Sequence, residues 1–149
     1  MKKVFIFLAV VAMIIAPAIC LGQSITQEEK NIELEKLISE GDSVYVKMNV
    51  AICDEKKIIK EIETLIETIK SSQEDIKRLL ESDSLAKVFS SKGLSSEERK
   101  GYEEKLNKKG QLLLKYEEKL TLHKNDLEDL EFLASEIPVT NSILSSFKK

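Results

Sequence analysis

The chain has 149 residues, a length for which one domain is the default, and its residues are 33% charged and 5% aromatic with no Trp. That composition excludes a thick globular core and points to long helices with a narrow apolar stripe. A formal net charge of -3 argues against a nucleic-acid surface, which draws on clustered cations.

The first 22 residues differ in kind from the rest. Lys2 and Lys3 form a basic start, Val4 to Ile15 an unbroken apolar run, and small residues follow around Pro17. Together these predict an export signal over residues 1–22. Three cleavage points compete: after Ala18, after Cys20, and after Gly22. The last is favoured because a helix start follows Gln23. Cys20 is also a candidate for lipidation, since bacterial lipoproteins are cut before a cysteine, although Ile19 is bulky for the preceding place. The run from Val4 to Leu21 barely reaches the roughly 20 apolar residues a bilayer needs. Membrane contact is therefore expected only through the signal or through lipid on Cys20. Removing Lys2 and Lys3 leaves 21 of the 23 basic residues against 26 acidic ones, a net charge of -5. The expected location is the periplasm or cell envelope, or outside the cell.

Residues 23–41 read as a short N-terminal helical segment. Ser24 or Thr26 can cap it, with Gln27 and Glu29 at the capping-box distance. Gly41, followed by Asp42 and Ser43, has the look of a helix end and a new cap. Yet the apolar ladder passes through Gly41 in phase, so a break and an unbroken helix both remain open.

Residues 42–137 carry the strongest pattern. Apolar residues spaced alternately by four and three run from Ile38 through Ile52, Ile59, Ile62, Ile66 and Ile69 to Leu80, and return from Tyr102 through Leu113, Tyr116 and Leu120 to Ile137. A mean period of about 3.5 keeps one stripe facing a partner helix, the signature of a coiled coil. From Asp42 to Ser82 such a helix is roughly 60 Å long. Serines, Asp83 and Gly93 then interrupt it, so the tip of the hairpin is expected near residues 83–95. Ser95 with Glu98 predicts the capping box of the return helix. Pro138 is expected to end that helix, leaving residues 138–149 as a short tail. The fold class is all-α: a long antiparallel helical hairpin.

The register follows from the polar residues in the seam. An alignment that sets Ile76 against Leu106 and Ile66 against Tyr116 places Gln73 against Lys109, Asp83 against Arg99, and His123 one layer from Glu55. Slipping by one heptad would set Lys109 against Ile66, and burying an unpaired polar group costs roughly 1–3 kcal/mol. Glu55, Gln73, Lys109 and His123 are thus read as residues that set the register. His123 paired with Glu55 could instead act as a pH switch or metal ligand. No second His or Cys stands at metal spacing, so alignment is the better reading. Cys53 is a candidate for a thiol link between chains, although a small side chain beside Ile52 explains it more simply.

Beside the outbound seam lies a third apolar column: Leu37, Val44, Ala51, Ile58, Leu65 and Leu79, broken by Ser72. Leu112 and Leu133 hold the matching place on the return, separated by Lys119 and Asp126. Three apolar positions in seven exceed what a two-stranded seam covers. Four occupants are open: residues 25–38 folded back, the tail from Val139 to Phe147, a second copy, or a client protein.

There is no nucleophile-and-base motif, phosphate loop or metal cluster, so neither enzymatic activity nor a cofactor is expected. The expected role is structural or protein-binding, with a protein partner. The segment Leu94-Ser95-Ser96-Glu97-Glu98-Arg99, leading into Tyr102-Glu103-Glu104-Lys105-Leu106, resembles the second tentacle helix of the Skp/OmpH periplasmic chaperones. The resemblance covers about a quarter of the chain. It implies a holdase activity toward exported polypeptides, and a lipid-anchored envelope spacer is a further alternative. That family opens with a β-strand, and nothing between Gln23 and Leu37 reads as one, so no residue roles carry over.

Overall fold

The computed structural model describes residues 26–88 and 93–148. The export signal and Cys20 lie outside them. Two helices, α1 (Gln27–Val88) and α2 (Ser96–Ser146), pack against each other as an all-α helical hairpin, with no strand among the described residues.

Each helix starts as its capping chemistry predicts. The Thr26 amide donates to Glu29 Oε2 at 2.8 Å, and the Glu29 amide donates to Thr26 Oγ1 at 3.2 Å. Ser95 and Glu98 repeat the exchange at 2.8 and 3.2 Å. Each box satisfies donors that the first turn cannot bond internally.

The helices divide into two compact units. In the first, residues 26–52 pack with 129–148. Ile52, Ala134 and Ile137 are buried there, with Ile38, Met48, Leu130 and Leu144 half-buried in the same seam. Gly41 does not interrupt α1. It lies against Asn141, whose amide donates to the Ile38 carbonyl at 3.3 Å and to Asp42 Oδ1 at 2.7 Å. A Cβ at Gly41 would stand 2.5 Å from Asn141 Oδ1. The glycine thus makes room for a side chain of the facing helix. Gly41→Ala should therefore gain little, because the roughly 1 kcal/mol of helix propensity is offset by displacing Asn141. In an Asn141→Ala background the same change should stabilise by about 1 kcal/mol. Urea unfolding of the four chains measures the difference.

Pro138 corrects the sequence reading. It lies inside α2, which continues to Ser146. The ring removes one amide donor, but Ile137 before it is almost fully buried, and Asn141 and Leu144 after it stay in the seam. Lys148 reaches Glu35 at 3.2 Å. Packing on both sides of the proline holds the helix where local propensity would end it. Residues 139–146 are the last turns of α2, not a separate tail.

The second unit is Cys53–Glu128. Ile59, Ile62, Ile66 and Ile69 are its buried core, facing half-buried Leu106, Leu113, Tyr116 and Leu120. Each such isoleucine contributes on the order of 1.5–3 kcal/mol by leaving water.

Candidate functional site

The polar side chains of this second unit separate into the seam, the turn and two flanks. In the seam, His123 Nδ1 is hydrogen-bonded to Glu55 Oε1, both side chains being largely enclosed. Gln73 and Lys109 are half-buried. The Gln73 amide lies beside Gly110, where a Cβ would be 3.7 Å from its Nε2. No hydrogen bond joins Gln73 to Lys109 among the described residues.

Asp83 organises the turn. It is only 5% exposed, yet its carboxylate takes the Leu94 amide, Arg99 Nη1 at 3.0 Å and Lys87 Nζ at 3.1 Å. Arg99 also donates to Ser84 Oγ at 3.2 Å. The pairing of Asp83 with Arg99 is the one the register predicts. The Lys87 and Leu94 contacts were not legible, because they depend on how the chain turns. Gly93 permits the approach: a Cβ there would stand 2.6 Å from Asp83 Oδ1.

Burial alone would push the Asp83 carboxyl up, but the Leu94 amide, Lys87 and Arg99 outweigh it and hold it below the ordinary 3.8. The Glu29 and Glu98 carboxyls are held below 4.5 chiefly by the amides of Thr26 and Ser95. All three are lowered in the folded chain, so their contribution is complete above about pH 5 and is lost as pH falls through the lowered values. Thermal unfolding measured from about pH 5 down to about pH 3 should show the midpoint falling as these three carboxylates take up protons. Asp83→Asn should lower the midpoint at neutral pH and flatten the acid dependence.

The two flanks of the hairpin differ in chemistry. On one, Lys70 pairs with Glu117 at 3.2 Å and Lys124 with Glu63 at 2.8 Å, crossing between α1 and α2. Exposed pairs of this kind are each worth about 1 kcal/mol or less, yet they seal that side with matched charge. The opposite flank is open, and its α1 side is apolar: Ile58 is 38% exposed, Leu65 44% and Leu79 37%, with Leu112 at 42% the apolar residue beside them on α2 between Lys105 and Lys119. In the first unit Val44 of the same column is exposed too, while Leu37, Ala51 and Leu133 are half-buried.

Two of the four candidate occupants are removed. Residues 27–38 belong to α1, and residues 139–146 to α2, so neither folds over the column as a separate segment. Lys105 and Lys119 sit over the rings of Tyr102 and Tyr116 at 5.0 and 5.8 Å, giving the repeated Tyr-Glu-Glu-Lys-Leu segment a local packing role.

Cys53 is free and exposed. Among the described residues no cluster of His, Cys, Asp or Glu could hold a metal ion, and no described helix is long and apolar enough to cross a membrane. No protein-family model, curated protein or solved structure matches the chain.

Proposed function

We propose that this is an exported, non-enzymatic coiled-coil protein of the bacterial cell envelope that works by protein–protein contact. The observation that carries this reading is the exposed column of Ile58, Leu65, Leu79 and Leu112 beside a flank closed by ion pairs. Apolar side chains at regular spacing on one flank of a hairpin favour a protein partner, since each one covered leaves water. The basic and apolar opening of the sequence supports export.

A holdase role would use the same column, gripping unfolded polypeptide in place of a folded partner. One assay separates the two. A holdase suppresses aggregation of an unfolded outer-membrane protein at near-stoichiometric ratio. A structural or interaction protein leaves that aggregation unchanged and shows a fixed assembly mass by light scattering, which is the result expected.

A further inference from the structure

The open flank of Cys53–Glu128 is segregated by charge. Its α1 edge carries Glu61 and Asp75, and its α2 edge carries Lys108 and Lys115, all exposed. None of the four forms an ion pair among the described residues. The α1 half of the flank is thus apolar along its inner column and acidic at its edge, whereas on the α2 half Leu112 stands between Lys105 and Lys119, with Asp126 beyond, and the edge is basic. A surface of that kind is complementary to itself after a half-turn.

Resting on the protein-contact reading above, we infer that this flank binds a second copy of the chain, with the two hairpin tips pointing the same way. A two-fold axis parallel to the helices lays α1 of each copy over α2 of the other, so the acidic edge of one runs along the basic edge of the other, with one opposed pair of charges on each side. Such an axis allows no sliding, and the level of each residue is inherited from the hairpin itself. Within one chain Asp83 is level with Arg99 and Gln73 with Gly110. Asp75 of one copy therefore falls level with Lys108 of the other, and Thr68 with Lys115. Opposed tips would lay α1 on α1 and stack the two acidic edges, which like charge disfavours.

The size is sufficient. From Cys53 to Val88 α1 runs about 54 Å, and a face two helices wide over that length reaches the roughly 800 Å² per partner of a stable dimer. The first unit lacks the complementarity. Apart from Lys47, its α1 edge carries Glu33 and Glu40, and its α2 edge carries Asp129 and Glu136. Pairing is therefore assigned to Cys53–Glu128.

The test uses the full-length chain as recovered from expressing cells, its N-terminus defined by mass spectrometry. Sedimentation equilibrium at micromolar concentration should give the mass of two chains. Leu65→Glu should weaken association by about 30-fold or more while circular dichroism stays helical. Asp75→Lys and Lys108→Asp should each weaken it several-fold, and the double swap should restore it. In a Cys20→Ser, Cys53→Ser background, chains carrying Asp75→Cys should cross-link to chains carrying Lys108→Cys. Cross-linking of Asp75→Cys to Glu61→Cys instead would overturn the parallel orientation of the two tips, and failure of the double swap to restore association would overturn the charge pairing. A monomeric mass would overturn the inference altogether, whatever then proves to cover the flank. A monomer that still captures a folded partner would leave the protein-contact reading standing.

Discussion

Ile66→Ala is expected to destabilise the chain by about 2–5 kcal/mol, whereas Leu65→Ala, one residue away, should cost less than about 1 kcal/mol of the single chain's own stability. The two side chains differ little in size and apolar character. Their surroundings decide the difference. Ile66 is 7% exposed, among the buried isoleucines of the seam, so truncation removes its transfer energy and leaves a cavity between helices that can close only partly. Leu65 is 44% exposed and has already kept much of its surface in water. Urea unfolding should be measured at dilutions where the midpoint no longer depends on chain concentration, because association adds to apparent stability by mass action. At higher concentration the Leu65→Ala deficit should grow while the Ile66→Ala deficit stays large. Equal losses for the two variants in dilute solution would mean that the ladder is not the seam.

Pro138→Ala is expected to stabilise the chain by up to about 3 kcal/mol. Proline inside a helix lacks an amide donor, and its ring crowds the carbonyl four residues earlier, here that of buried Ala134. Pro138 itself is exposed, so alanine restores the donor without opening a cavity. The flanking contacts of Ile137, Asn141 and Leu144 are already in place, and the gain should appear almost whole in the unfolding midpoint. If Pro138→Ala were neutral, α2 would already have accommodated the proline at no cost. A destabilised variant would show that the ring contributes packing beyond what its exposure suggests.

The hairpin, its seam and its caps were legible because each depends on spacing or on residues within one turn. Isoleucines and leucines at a period of about 3.5 can only be buried together on one side of a helix. Thr26 with Glu29 and Ser95 with Glu98 bond across three residues, so no distant contact is needed to form them. Asp83 against Arg99 was legible for a different reason: once the seam was aligned, the level of every residue followed from it. The apolar column from Ile58 to Leu79 was legible as surplus, more stripe than two helices can cover.

What the sequence by itself determined was the helical hairpin, which comes from a periodic pattern summed over many turns that no single residue can override, and its alignment, which the polar residues of the seam select among heptad slips. Only the tertiary structure decided the fates of Gly41, Pro138 and Asp83. By local propensity the glycine could have broken α1 and the proline should have ended α2. Asn141 against Gly41, and buried Ile137 beside Pro138, carry the helices through, because packing energies of a few kcal/mol outweigh propensities of one to three. At the turn, the Leu94 amide and Lys87 reach Asp83 only once the chain has reversed, a geometry that spacing along the sequence does not encode.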